Sequence, residues 1–265
     1  MDSDLERIVC LREEGRAVPL FCVHAVSGSA YSYTGLVNQL GSDQPVYAFD
    51  APGLDGDRSP VRSLPDLSAE YVNTLREFRP DGEYRLLGWS LGGVLAFDMA
   101  QRLTAAGADV TRLIMVDVAL PWVADLPPEK EIQRRFLANL LGSADASPQA
   151  LQDAVARHPD DVDASVLFTD VVSTGVLPEE IDTDMLLDRY AVFRAHMEAL
   201  FAFGVTTTYA GPVVHIMAAE SPRMYMRWDT VAPNLTEYTI PGDHHSIWAG
   251  ENLVELAALV RQALA

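Results

Sequence analysis

The run Tyr84-Arg85-Leu86-Leu87-Gly88-Trp89-Ser90-Leu91-Gly92-Gly93 decides how the rest of the chain is read. It is Gly-x-Ser-x-Gly, with a short apolar run before it and an amphipathic one after it. Tyr84 to Gly88 reads as a buried strand. Beyond the serine, Leu91, Leu95, Met99 and Leu103 recur every four residues and predict a long helix to about Ala106. A sharp strand-to-helix turn forces its central residue into a strained backbone conformation. The positions two residues to either side must then be glycine to avoid a collision. Such a turn lifts the Ser90 hydroxyl clear of the sheet and aims the first helical amides at the reaction centre. Ser90 is therefore expected to be a nucleophile.

Outward from this motif, short apolar runs alternate with amphipathic segments, the pattern of a mostly parallel sheet with helices on both faces. Glu6 to Arg12 reads as an edge strand, and Leu20–His24, Pro45–Asp50 and Arg112–Val116 as buried strands. Tyr31–Leu40 and Ser68–Arg79 read as helices, the second placing Tyr71, Leu75 and Phe78 on one face. From about Leu120 to Gly204 the alternation stops. Helical segments are expected near Glu129–Leu141, Pro148–Arg157, Asp163–Ser173 and Asp182–Phe203, with no buried strand among them. Strands resume at Pro212–Ala218 and Leu235–Ile240, and a final helix covers Asn252–Ala265. The expectation is one α/β domain over 1–265, an α/β-hydrolase fold with its core in 1–119 and 205–265. A helical insertion occupies 120–204.

Length and composition agree with a single globular domain of 265 residues. No apolar run reaches the length of a membrane span, and the acidic start MDSDLERIVCLREEG does not resemble a signal peptide. Cys10 and Cys22 are the only cysteines. Both fall in strand-like runs and read as buried free thiols, which together with the N-terminus predicts a cytoplasmic protein. The formal charge of −19 excludes a general nucleic-acid binder, which needs a basic face, and disfavours anionic membranes.

A serine hydroxyl needs a base within hydrogen-bond reach, and the chain order of this arrangement is Ser, acid, His. His158 and His196 fall in the insertion, and His215 lies inside a strand. His244 and His245 follow the last strand in Ile240-Pro241-Gly242-Asp243-His244-His245. His244 is the expected base, in its Gly-Asp-His setting. A metal centre is not expected, because the adjacent pair lacks further ligands at suitable spacing. Two acids compete to orient it: Asp117, ending one strand, and Glu220, following another. Position alone does not separate them. The oxyanion hole calls for two backbone amides, expected from Leu91 and from Val26 in the turn His24-Ala25-Val26-Ser27-Gly28. His24 reads as a shaper of that turn.

These residues bring the sequence close to a known family. Pro19-Leu-Phe-Cys-Val-His-Ala-Val-Ser-Gly-Ser, Val46-Tyr-Ala-Phe-Asp-Ala-Pro-Gly-Leu-Asp-Gly, Tyr84 to Asp98, Leu113-Ile-Met-Val-Asp and Gly242-Asp-His resemble the thioesterase domains of nonribosomal peptide synthetases and polyketide synthases. The likeness covers most of 5–119 and, more loosely, 210–260. It implies transfer of an acyl or peptidyl chain from the phosphopantetheine arm of a carrier protein onto Ser90. Release then goes to water or to an internal nucleophile. The carrier protein is the implied partner, and no cofactor of the enzyme's own is implied. The resemblance also implies Asp117 as the acid, in preference to Glu220, and makes the 120–204 insertion a lid over the acyl chamber. Ala51-Pro-Gly-Leu-Asp-Gly56 is more similar to assembly-line release domains than to free-standing editing enzymes.

Docking of an acidic carrier calls for local basic residues, and Arg134 with Arg135, or Arg223 with Arg227, are the candidates. Met185, Leu186, Met197, Leu200 and Phe201 either line the chamber or form the core of the lid. The rival readings are an editing thioesterase or carboxylesterase of small free esters, and a catalytically silent binding protein on a hydrolase scaffold.

Overall fold

The computed structural model describes residues 5–141, 153, 155–159 and 161–265. Seven strands form one sheet: β1 (Ile8–Arg12), β2 (Leu20–Val23), β3 (Val46–Phe49), β4 (Glu83–Trp89), β5 (Asp109–Val116), β6 (Val213–Ala218) and β7 (Leu235–Ile240), in the order β1-β3-β2-β4-β5-β6-β7. Only β1 runs antiparallel, against β3. All four residues of β2 are buried, as are the last four of β4 and of β5. Strands covered on both faces read as continuous apolar runs, which is why these central ones lack alternation. β7, at the far edge, is largely exposed along its length.

Helices α2 (Leu64–Phe78) and α3 (Leu91–Ala105) cover one face, with Leu67, Tyr71, Leu75, Leu95 and Met99 packed on Phe21, Leu86 and Leu113. Helices α1 (Thr34–Gln39) and α7 (Gly250–Leu264) cover the other, where Leu36, Leu256 and Val260 meet Leu20, Leu87 and Ile114. α1 is shorter than expected because its first turn, Ala30–Tyr33, is a 3-10 helix. α2 begins four residues earlier than expected. Ser63 caps it by accepting from the Asp66 amide at 3.3 Å, and Pro65 sits in the first turn, where its missing N–H costs nothing. Ser68, the expected start, instead bonds the Asp98 carboxylate. Phe78 ends α2 at the rim of this face, half-exposed, with its ring still packed on Phe21 and Tyr47 at 6.2 and 5.0 Å.

Among the described residues, the stretch between β5 and β6 holds only helices: α4 (Glu129–Leu141), α5 (Ala164–Ser173) and α6 (Thr183–Phe201). They share a separate apolar cluster that includes Phe136, Phe168, Leu186, Tyr190 and Phe193. The helix expected at 148–157 lies for the most part outside the described residues. None of the described helices is long and apolar enough to cross a membrane. The expectation of two buried thiols holds for Cys22 alone. Cys10 is exposed, since β1 is an edge strand with one face open to solvent.

Because β2, β4, β5, β6 and β7 run parallel, the turns after them emerge along one edge of the sheet. Open α/β sheets place their sites along that edge. Val26, Ser90, Asp117 and His244 all lie in these turns.

Candidate active site

Ser90 stands between β4 and α3 with φ 55° and ψ −125°, a left-handed conformation that L-residues avoid. The two motif glycines explain how the turn closes. A Cβ on Gly88 would collide with the backbone of Gly92, and one on Gly92 with the carbonyls of Val23 and His24. The main chain therefore passes closer than any side chain permits. The Ser90 amide donates to the Val116 carbonyl at 3.1 Å, tying the elbow to the next strand.

Asp117 is the other non-glycine residue with positive φ among those described, at 48°. The turn swings its carboxylate, almost wholly buried, toward the loop after β7. Oδ2 accepts from His244 Nδ1 at 2.6 Å and from the Ser221 hydroxyl at 2.7 Å, while Oδ1 accepts from the Ala218 amide at 2.9 Å. Burial alone would raise this carboxyl. The hydrogen bonds from His244, Ala218 and Ser221 outweigh it and hold the group below the ordinary aspartate value, so it is a carboxylate. With Nδ1 donating to Asp117, neutral His244 keeps its lone pair on Nε2, the tautomer a general base requires. Trp89 packs on the His244 ring at 5.1 Å and contacts His245 at 5.7 Å. Glu220 is exposed, and its amide bonds the Gly242 carbonyl.

Ser90, Asp117 and His244 line a single cavity of about 630 Å³. Val26, Leu91 and His245 line it too. Ser90 Oγ has no hydrogen-bond partner among the described residues; bonds between a nucleophile and its base are often long until they tighten around substrate. Leu91 opens α3, so its amide has no acceptor within the helix. The Ala25–Val26 peptide is held by its carbonyl, which accepts from His24 Nδ1 at 2.8 Å and from the Gly28 amide at 3.0 Å. In a trans peptide the N–H points opposite to the carbonyl, so these anchors orient the Val26 amide.

Two supports of this site carry no local sequence signal. Ser221 reaches Asp117 across 104 residues. His196 of α6 donates from Nδ1 to the Val26 carbonyl at 2.9 Å, and its ring stacks on His24 with centroids 4.9 Å apart. Burial lowers His196 to about 4, and burial together with His196 lowers His24 to about 3, so both rings are neutral. His215 is also buried, lowered to about 4, and accepts from the Val118 amide at 3.2 Å, in keeping with a packing role.

Of the apolar insertion residues, Met197, Leu200 and Phe201 line the cavity, Leu186 belongs to the insertion's own core, and Met185 is half-exposed. Arg134 and Arg135 line the cavity as well. Arg223 and Arg227 do not share a helical face, because their segment is two short 3-10 turns. Arg223 bonds Thr239 at 2.6 Å and Arg227 pairs with Asp229 at 3.1 Å. No cluster of three or more His, Cys, Asp or Glu side chains suited to a metal ion occurs among the described residues.

Comparison with known proteins adds a family to this geometry. A family described as "Thioesterase domain" matches residues 18–264. A dimodular nonribosomal peptide synthase of Bacillus subtilis (strain 168) is 34% identical over 168 residues, 62% of this chain and 7% of that protein. The non-reducing polyketide synthase atnG of an Arthrinium species is 28% identical over 263 residues, 96% of this chain and 13% of that protein. The chain thus spans a small part of the curated relatives it matches. Among solved structures, a covalent complex of the NocB thioesterase domain with a fluorophosphonate nocardicin G analog aligns with a TM-score of 0.67 at 26% identity. It covers 97% of this chain and 99% of that one. The mostly parallel sheet with flanking helices is the α/β-hydrolase fold of such domains.

Proposed function

The chain belongs to the thioesterase domain family, and from that premise we propose that it releases an acyl or peptidyl chain from a carrier-protein phosphopantetheine thioester through an acyl-enzyme on Ser90. The reading rests chiefly on one observation: Ser90 and the hydrogen-bonded His244–Asp117 pair share one cavity. In the first step Ser90 Oγ bonds to the thioester carbonyl carbon while His244 Nε2 takes the hydroxyl proton. Asp117 stabilises the imidazolium that results. The Leu91 and Val26 amides receive the oxyanion, each worth about 3 kcal/mol in comparable sites. The C–S bond then breaks, and His244 returns the proton to the departing sulfur. In the second step water, or a hydroxyl or amine of the chain itself, gives its proton to His244 and attacks the ester. The C–O bond to Ser90 breaks as His244 returns the proton to Ser90 Oγ, giving an acid or a ring and the free enzyme.

The phosphopantetheine arm enters as part of the substrate, and the helices of 120–204 act as a lid over the acyl chamber. The largely apolar wall of the cavity suits an acyl chain better than a small polar ester. That a related thioesterase domain forms a covalent fluorophosphonate complex supports a serine hydrolase here too. The test is Ser90→Ala: turnover of carrier-bound thioester is expected to fall at least about 10³-fold, with fluorophosphonate labelling abolished. Near-normal release by that variant would sink the reading.

A further inference from the structure

Besides Ser90, His244 and Asp117, the cavity wall carries two cationic side chains. Arg134 and Arg135, adjacent on α4, both line the cavity. Both guanidiniums bind the same carboxylate: Glu131 Oε2 accepts from Arg134 Nε at 2.7 Å, and Oε1 accepts from Arg134 Nη2 at 2.8 Å and Arg135 Nε at 2.7 Å. Glu131 itself is not part of the cavity wall. Two cations against one anion leave one positive charge uncompensated. The other ionisable groups of the wall are Asp117, His244, His245 and Tyr225; the Asp117 carboxylate keeps its charge but is buried and taken up by hydrogen bonds from His244, Ala218 and Ser221.

The surroundings strengthen that charge. The rest of the wall is largely apolar, with Leu91, Val94, Leu120, Phe193, Met197 and Leu200 among its residues. The Arg134 and Arg135 side chains are 59% and 45% exposed, so water screens them in part, and the apolar wall lessens that screening only on the side that faces the cavity. In a chain of formal charge −19 the general field repels anions. A cationic wall here is therefore a local exception, and it faces the cavity that holds Ser90. Guanidinium presents its remaining N–H groups in a planar fork that matches carboxylate and phosphate oxygens.

We propose that Arg134 and Arg135 form an oxyanion-recognition subsite of the acyl cavity, so that the preferred substrate carries a carboxylate or phosphate group alongside its apolar chain. The proposal rests on the reading of this cavity as the place of acyl release. The anion has two chemical sources, a carboxylate on the acyl chain or the phosphate of the phosphopantetheine arm.

Two matched pairs of thioesters separate them. The first pair is N-acetylcysteamine thioesters of equal length ending in a carboxylate or a methyl group. The second joins one neutral acyl chain to 4′-phosphopantetheine or to pantetheine. In at least one pair the charged member is expected to show kcat/KM about tenfold above its partner, mainly through KM. That ratio should fall toward one in Arg134→Gln/Arg135→Gln, persist in Arg134→Lys/Arg135→Lys and shrink with added salt. A preference in the first pair assigns the anion to the chain, and one in the second assigns it to the arm. Ratios near one in both pairs, or a ratio that survives the double Gln change, would overturn the proposal. Dissociation constants of the same pairs with the Ser90→Ala protein keep recognition apart from chemistry. An anion preference in binding upholds the subsite even if the wild type turns over none of them. Turnover with no preference in either measurement upholds the catalytic reading and removes the subsite.

Discussion

Two side chains at the centre of the site, Ser90 and Asp117, are held at positive φ, which costs about 1–3 kcal/mol at each. Hydrogen bonds from neighbouring strands hold both turns: Ser90 through the Val116 carbonyl, Asp117 through its amide to Ile216 and its carboxylate to Ala218. Asp117→Asn leaves room and shape nearly unchanged but presents an amide where His244 Nδ1 needs an acceptor. Its kcat is expected to drop about 10³- to 10⁴-fold, against a change within about twofold for Glu220→Gln, measured on the same thioester. Comparable losses for both changes would reopen the choice of acid. Ser90 and His244 were legible because their signals are local: glycines at fixed offsets in one case, a strand-end Gly-Asp-His in the other. Asp117 and Glu220 could not be told apart by position, since each follows an apolar strand. What separates them is a swing of one backbone turn that no neighbouring residue announces.

At the scale of elements, α6 does more than line the cavity. It reaches the turn after β2 through His196 and the Val26 carbonyl, and it joins α4 through Arg194 and Glu129 at 3.0 Å. The turn that carries the Val26 amide, the proposed oxyanion donor, is thus tied through its next peptide plane to a histidine 170 residues further along the chain. His196→Leu removes the donor, and kcat is expected to fall about tenfold with KM little changed. The rate of fluorophosphonate labelling of Ser90 should fall in parallel, and His196→Asn, which keeps an N–H donor, should recover part of both. Equal defects in the Leu and Asn variants would mean that the ring serves packing alone. The helices themselves were readable from apolar periodicity, and α4 matches its expected bounds. Their bonds to the core were not, because periodicity reports which face is buried and not which distant carbonyl it meets. α2 began early for a related reason: Ser63 and Ser68 both suit a cap, and only the packed structure leaves Ser68 to Asp98.

For the molecule as a whole, three neutral imidazoles are shut away from water: His24, His196 and His215. Their folded values, about 3, 4 and 4, lie below the 6.5 of an exposed histidine. As pH falls below 6.5 the unfolded chain takes up protons that the folded one refuses. The stability these groups contribute is complete above about pH 6.5 and is lost progressively as pH falls toward 4. Replacing one of them, as in His215→Gln, is expected to lower the slope of unfolding free energy against pH by about 1 kcal/mol per unit between pH 6 and 4.5. Denaturant titrations across that range measure it, and an unchanged slope would show that the ring is protonated in the folded state. The acidic total was plain in the composition, whereas the pair of cations on the cavity wall was not, since a sum over the chain hides two exposed arginines that also line it. The edge position of β7 has a further consequence. The His244 loop hangs from this largely exposed outermost strand, while Ser90 and Asp117 belong to the centre of the sheet. Fraying of that margin would part the imidazole from its carboxylate with the core still intact. On gentle heating, thermal inactivation would therefore run ahead of global melting, so the lifetime of activity reports the sheet's weakest border.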